Sequence, residues 1–525
     1  MAHNLRSDVR NASSYSPEAR VATFPLDDCI ETHISQVYLS DRFAFKRKKP
    51  VQFDYLDFRT PQQRKAACEA EVHLNRRLAP HVYLGVCPCW VDGNQLHVAD
   101  ATDARLLPAD VAQRSDLDWC VKMRKLPQEK SLQHLISSGL ITSDQMRRLA
   151  NVLVAFYTSL PPETLKTEDY VARFAQHVQS NIRELDQYTI NHSLDQYLWS
   201  RVRSAQQRFL QLETHHLESR VIDGRIVNGH GDLRPEHIYF LPNPVVIDCI
   251  EFNSEYRTID VQDELSFLAM ECDRLGAPDL VEPVLEACCT ATHDQIQPRL
   301  YWFYRIYRAC VRAKVAIRSP GGSHANPEVL AYLKLAASYA SRLYRPLFVV
   351  VSGPSGSGKT SIAHTLANQL GLIRLSTDDI RRTHPQIPSE ARYRPTGRQR
   401  IYDAMFQQAR EFAGRQVSVV LDGTFGQQQW RDAARSLAAE FQADFLFIHC
   451  DCPLRIRQKR VELRQSAQSD SSEISANLLE KQQAEFAPLP NEFPSVRLDT
   501  SEPIHVCVHA IYRQLGRSRP AQPAS

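Results

Sequence analysis

Residues 347–360 read LFVVVSGPSGSGKT, and the rest of the chain is organised around them. Leu347 to Val351 form a short apolar, mostly β-branched run, the pattern of a strand buried on both faces of a parallel sheet. Gly353, Gly358, Lys359 and Thr360 then follow in the spacing G-x-x-x-x-G-K-[ST]. Small residues let such a turn point its backbone N–H groups inward around a phosphate. Gly353, Pro354, Ser355, Gly356, Ser357, Gly358, Lys359, Thr360 and Ser361 are therefore the candidate ATP-binding residues. Lys359 is expected to reach the β- and γ-phosphates, and the Thr360 hydroxyl to ligate Mg²⁺. A helix over about Ser361–Leu370 would aim its positive end at the same anion.

Downstream, Leu372–Leu375 reads as a second strand, leading into Ser376-Thr377-Asp378-Asp379-Ile380-Arg381. Carboxylates at the C-terminal edge of such strands sit where ligands bind. Asp378 is thus the candidate base toward an acceptor hydroxyl, and Arg381 the group that holds an anionic part of the acceptor. Asp379 reads as a helix cap. Val417–Leu421 is a third strand ending at Asp422, a Walker-B-like position for a water-mediated Mg²⁺ contact. Phe445–His449 is a fourth, followed by a helix carrying Arg457, Arg460 and Arg464 and by a polar stretch, Ser466–Ser472. Arg460 and Arg464, at i and i+4, share a face and could close over the phosphates as a lid. Arg392, Tyr393, Arg394 and Arg398 would suit a nucleic-acid acceptor, a reading not favoured over a small hydroxyl compound.

Upstream, ISQVYLSDRFAFKRKKP (34–50) alternates on both sides of Ser40-Asp41 and reads as a hairpin ending in a basic patch. Residues 61–78 start with a proline and continue with helical spacing. Leu117–Met123 is a further strand, and from 131 to 215 the periodicity is helical. Then comes IVNGHGDLRPEHIYFLPNPVVIDCIEF (226–252), with a short hairpin around Pro242-Asn243-Pro244. Its ends present Asp232 and Asp248, which can face one cleft: one accepts a hydroxyl proton while the other holds Mg²⁺. Residues 262–317 are again helix-like, Pro320–Ser323 is a break, and a helix over about 327–343 runs up to Arg345-Pro346. The module boundary is placed there, with no long linker, so the two halves are expected to pack closely.

The whole chain has 525 residues, 43% hydrophobic and 23% charged, with a net charge of +3. That length calls for two or three domains. No apolar run approaches the roughly 20 residues needed to span a bilayer. The thirteen cysteines show no disulfide framework or zinc spacing, which points to reduced thiols and a cytoplasmic protein.

The motif His230-Gly231-Asp232 with Val246-Ile247-Asp248 resembles the aminoglycoside phosphotransferase-like kinases, a branch of the protein-kinase fold. The resemblance covers about residues 25–340 and implies an α+β bilobal kinase-like domain. It makes Asp232 the catalytic base, Asp248 the main Mg²⁺ ligand, Lys46 the phosphate-binding lysine with Lys48 as its rival, and Glu71 the lysine's partner. It also makes Cys120–Arg124 an adenine hinge. His237 stands where the family has a metal-binding Asn. Imidazole is a poor ligand for hard Mg²⁺, so this lobe either uses one well-held metal or only binds. Residues 346–515 resemble P-loop kinases related to polynucleotide kinase and gluconate kinase. That resemblance rests on Gly353–Thr360, Asp378–Arg381, Asp422 and the lid arginines, and it implies an α/β domain with a parallel sheet. The combination is similar to a bacterial family in which these two halves are fused. The expected layout is a disordered lead (1–22), a kinase-like domain (23–344), a P-loop kinase domain (345–515) and a disordered tail (516–525).

Overall fold

A computed structural model describes residues 21–53, 56–99, 111, 113–192, 195–318, 326–383, 395–466 (side chains only as far as 463), 486–487 and 494–517. Residues 1–20 of the lead, most of the tail, the break at 320–323, the polar stretch after Ser466 and Arg392–Arg394 lie outside them, whereas Val21 and Ala22, expected within the disordered lead, open a paired strand. Two compact units form: residues 1–163 with 226–295, and residues 164–225 with 296–525.

The first unit is built on a seven-stranded antiparallel sheet. Its order is Val21–Pro25, Gln95–Ala99, Tyr83–Asp92, Asp118–Arg124, Phe43–Lys48, Ser35–Leu39, Ile30–Glu31. Period-two alternation divides its side chains between two faces. Phe24, Tyr38, Phe45, Leu96 and Cys120 share one core. Ala44, Val121 and Met123 pack with Cys68 and Val72 of the helix Pro61–Asn75 in another. That helix starts as its sequence dictates, with Pro61 in the first turn and a reciprocal Thr60–Gln63 capping box. Lys46 and Lys48 fall on the Ala44 face of their strand, toward Glu71. Beyond the sheet come the helices Ser143–Ser159, Val261–Arg274 and Glu282–Ala291 and the hairpin Ile238–Phe240/Pro244–Val246.

The second unit contains a five-stranded, fully parallel sheet. Its order is Ile373–Ser376, Val419–Asp422, Leu347–Ser352, Asp444–Asp451, Ser495–Asp499. Leu347, Val349 and Val351 join one core with the helices Lys359–Leu370 and Ile504–Arg517. Phe348 and Val350 join the other with Pro395–Gly414 and Gln428–Glu440. A strand buried on both faces has no polar side, which is why its sequence is continuously apolar. The last strand carries no apolar run of its own and went unread in the sequence.

The compact units cut across the boundary suggested at Arg345-Pro346. The helices Gln196–Leu212, Pro298–Ile317 and Pro327–Leu343 group with the parallel sheet. One of them, Gln196–Leu212, is hydrogen-bonded to the C-terminus of Lys359–Leu370. Ser204 Oγ donates to the Leu370 carbonyl at 2.9 Å and Gln207 Nε2 to that of Asn368 at 2.9 Å. These are carbonyls a helix end leaves without internal partners. Gly371 ends the helix at φ +64°, and a Cβ there would lie 2.6 Å from Gln207 Oε1 and 2.9 Å from Ser204 Cα. Gly371→Ala is therefore expected to destabilise this unit by about 2–4 kcal/mol, combining left-handed strain with overpacking. Urea melts measure it, and an unshifted midpoint would show the clamp to be loose.

Candidate active site

The strand Leu347–Ser352 delivers the chain into the phosphate loop, and Ser352 Oγ donates to the Thr424 carbonyl at 2.9 Å. Gly353 N–H donates to the same carbonyl at 3.2 Å. Gly356 has φ +75°, and a Cβ on it would meet the Arg457 carbonyl oxygen at 2.6 Å. The loop thus rests directly on the backbone of the following basic helix, an approach only glycine permits. Gly358 caps the helix, which begins at Lys359, two residues earlier than the sequence suggested. Pro354 and Ser357 are buried, Ser355 and Thr360 half-buried and Ser361 exposed.

Three groups define what this loop can hold. Lys359 is buried, with no carboxylate in ion-pairing reach among the described residues. Ser357 Oγ is buried without a hydrogen-bond partner. Asp422, 2% exposed, has one oxygen, Oδ1, without a hydrogen-bond partner among the described residues. A lone buried ammonium, an unpaired hydroxyl and a free carboxylate oxygen fit a polyphosphate with a hydrated divalent cation. Thr360 and Asp422 are the residues that would hold that cation.

Asp378 lies in the first turn of the helix Thr377–Thr383, beyond the strand Ile373–Ser376. Burial acts to raise its carboxyl pKa; Lys359, and then Arg381, outweigh it and hold the group below the usual carboxylate range. Arg381 Nη1 sits 2.5 Å from Asp378 Oδ1, so this arginine orients the carboxylate. Asp379 is no cap: it pairs with Arg374 at 2.8 Å and with Arg382. Arg374, which the sequence reading passed over, also lies 3.0 Å from Asp422 Oδ2. A basic residue inside an otherwise apolar strand was the available signal.

Two of the arginines expected in a lid, Arg457 and Arg460, lie against the phosphate loop. Arg460 Nη2 donates to the Thr500 carbonyl at 2.7 Å, and its Nη1 to the Gly356 carbonyl at 3.4 Å, so it buttresses the loop from behind. Arg457 is fully buried under Gly356. The Arg464 side chain lies outside the described atoms. Thr500, also missed, donates from Oγ1 to the Ser357 carbonyl at 2.6 Å.

The first unit brings its own predicted residues together. Lys46 Nζ lies 2.9 Å from Glu71 Oε1 and 2.5 Å from Asp248 Oδ1. Lys48 is fully buried between Glu71 (2.5 Å) and Glu251. Lys46, the more accessible of the two, is thus the one that reaches Asp248. Asp248 holds φ +64°, an uncommon conformation for a non-glycine residue, with its N–H donating to Tyr83 Oη at 3.0 Å. Burial would raise its carboxyl pKa, but Lys46 and then His237 hold it far below the usual range.

Asp232 is ion-paired with Arg234 at 2.9 Å. His237, in the position of the family's metal-binding Asn, has neighbours at both ring nitrogens. Its Nδ1 donates to the Asp232 carbonyl at 2.9 Å, and its Nε2 lies 3.2 Å from Arg234 Nη2 and 3.6 Å from Asp248 Oδ2. Both ring nitrogens are thereby engaged. No cluster of three or more His, Cys, Asp or Glu side chains is placed to hold a metal among the described residues. His230 donates from Nε2 to the Ile247 carbonyl at 3.0 Å, and burial pushes its pKa down to about 3. Glu264 accepts the N–H groups of His230 (2.9 Å) and Gly231 while bonded to Tyr157 Oη at 2.8 Å. The proposed hinge, Cys120–Arg124, is instead inner-sheet strand paired on both sides, so its backbone groups serve the ladder.

Residues 348–489 match a family described as AAA domain. A gluconokinase structure from Sinorhizobium meliloti 1021 is 21% identical, covering 33% of this chain and 93% of its own, with a TM-score of 0.26. An APS kinase structure from Mycobacterium tuberculosis, in complex with AMPPNP and APS, is also 21% identical, covering 33% and 98%, with a TM-score of 0.26. An uncharacterized protein of Mycobacterium bovis (strain ATCC BAA-935 / AF2122/97), Mb2027c, is 30% identical over 476 residues, 87% of this chain and 90% of its own. The same identity and coverage hold for the uncharacterized protein Rv2004c of Mycobacterium tuberculosis (strain ATCC 25618 / H37Rv). Sharing sequence with Rv2004c along nearly its whole length, phosphate loop and first unit together, this chain belongs to the same protein family.

Proposed function

We propose that the chain is an ATP-dependent phosphotransferase that moves a γ-phosphate to a hydroxyl acceptor in its P-loop domain. The observation that carries this reading is Lys359, buried beside Asp378 and facing no carboxylate within ion-pairing distance. In an in-line transfer the protein's work is mainly positioning and charge neutralisation. Gly353–Thr360 cradle the triphosphate, with Lys359 on its outer phosphates. Mg²⁺, held by Thr360 and through water by Asp422, supplies the remaining neutralisation. Asp378 stays ionised at neutral pH, so it accepts the hydrogen bond of the acceptor hydroxyl and aims its oxygen, while Arg381 fixes the carboxylate. A loose transition state asks for little proton removal, which suits a weakly basic aspartate. Arg464 remains the candidate lid arginine. The free thiols support a cytoplasmic setting. A polynucleotide 5′-hydroxyl acceptor is the weaker alternative, resting on the exposed Arg398 and its basic surroundings.

For the first unit we propose the aminoglycoside phosphotransferase-like kinase fold, with Lys46, Glu71, Asp232 and Asp248 in the roles named above. Its catalytic carboxylates are both cation-paired and an imidazole stands in the place of the family's metal-binding Asn, which favours nucleotide sensing there over a second transfer.

Lys359→Ala should lower Mg²⁺-dependent ATP turnover by about a hundredfold or more, on the scale of losing a preorganised charge contact. Turnover that survives Lys359→Ala but vanishes in Asp232→Ala would assign the work to the first unit. A second prediction concerns acid. Because Asp248 has a depressed pKa in the fold, its stabilising contribution is complete above the ordinary carboxylate value of about 4 and declines as pH falls below it. Its side chain is 42% exposed, so solvent screening keeps that contribution small. Thermal melts from pH 7 to 3 should show a shallower acid loss in Lys46→Met than in wild type; identical slopes would remove the pair from the account.

A further inference from the structure

Arg374 has no part in the reading above, yet it touches both halves of the proposed site. It lies in the strand Ile373–Ser376, alongside the strand that ends in Asp422, with Arg374 opposite Val420 and Ser376 opposite Asp422. Its side chain is 16% exposed. Nε and Nη2 both donate to a single oxygen, Asp422 Oδ2, at 3.2 and 3.0 Å. Nη1 donates to Asp379 Oδ2 at 2.8 Å. The other oxygen of Asp422 is left buried and without a partner.

We propose that Arg374 is a positioning residue that ties the metal-facing carboxylate, Asp422, to the acceptor-binding helix Thr377–Thr383. A guanidinium is planar and presents its donors in a fixed fork. With two donors of the fork on Oδ2, that oxygen of Asp422 is fixed and Oδ1 is the one left for another partner. With the remaining arm on Asp379, the helix is held at the residue next to Asp378. The distance between the metal carboxylate and the acceptor carboxylate is thus set by one rigid side chain. The arginine also offsets the Asp422 charge, which suits a carboxylate that accepts from metal-bound water more than one that binds the ion directly. Lysine, a single ammonium on a flexible stem, can satisfy one carboxylate but has no fork to fix both.

This inference rests on the proposed nucleotide site, and its test separates the two. In the full-length chain, the affinity for a fluorescent ATP analogue is measured with Mg²⁺ and with EDTA, for wild type, Arg374→Met, Arg374→Lys, Asp379→Asn and Lys359→Ala. The Mg²⁺ enhancement of binding should fall by about tenfold in Arg374→Met, the scale seen for partners of metal ligands, while Mg²⁺-free affinity stays within about twofold. Asp379→Asn should keep the enhancement, and Arg374→Lys should retain part of it. Amide exchange of residues 377–383, followed without nucleotide, should quicken in Arg374→Met and in Asp379→Asn. An undiminished Mg²⁺ enhancement in Arg374→Met, equal loss of Mg²⁺-bound and Mg²⁺-free affinity, or unchanged exchange would each overturn the proposal. If wild type and Lys359→Ala bind the analogue equally poorly, the nucleotide site itself is wrong, and the exchange rates still decide whether Arg374 holds the helix.

Discussion

A buried ammonium with no carboxylate within ion-pairing distance among the described residues dominates the second unit. Taking an ion out of water costs several kcal/mol unless a counter-charge or hydrogen bonds replace the solvent. Lys359 bears that cost at the start of a helix whose positive end adds to the same potential. Ser357 Oγ and Asp422 Oδ1 beside it are likewise unsatisfied. Each of these is a local fault in a folding sense, and in the proposed function all three would be relieved together by one anion carrying a cation. The surrounding contacts act to keep this arrangement from collapsing. Arg460 and Thr500 hold the back of the loop, Thr424 receives its N-terminal end, and Ser204 and Gln207 secure the far end of its helix.

The first unit solves its electrostatics in the opposite way. Lys46 and Lys48 interleave with Glu71, Glu251 and Asp248, so both ammoniums are neutralised inside the protein. Three carboxylates against two ammoniums leave one negative charge over, and burial pushes the Glu251 carboxyl upward, toward the protonated form that would absorb it. Arg234 does for Asp232 what Lys46 does for Asp248. An anion entering this centre must displace existing ion pairs, whereas the phosphate loop has an open cation waiting. This difference in charge balance is the physical ground for placing the chemistry in the second unit.

Arginine is the recurrent structural device around the loop. Arg431 is fully buried and donates from Nε to the Phe425 carbonyl at 2.7 Å, fixing the turn after Asp422. Arg457 lies under Gly356, Arg460 behind it, and Arg374 between the two acidic positions at the sheet edge. A fork of donors can bind several carbonyls or carboxylates at once, so it braces irregular backbone where strand and helix ladders stop. Two of these, Arg457 and Arg460, lie on the helix read by spacing alone as a lid over the phosphates.

Much of the second unit was determined by the sequence alone, because its signals are local. The run Leu347–Val351 has to be a two-face-buried strand, and the glycines and Lys359 that follow have to form a phosphate loop, since backbone angles and apolar patterning act within a few residues. The helix capping at Thr60 and the hairpin around Asn243 were legible for the same reason. Tertiary structure alone decided which charges meet. Glu251, Glu264, Arg374 and Thr500 lie far in sequence from most of their partners, or on a neighbouring strand, and nothing in spacing announces them. It also decided that Arg460 braces the loop and that His237 sits between Asp232 and Asp248. Side-chain direction at a site is set by what packs around it, and that packing comes from elements many residues away.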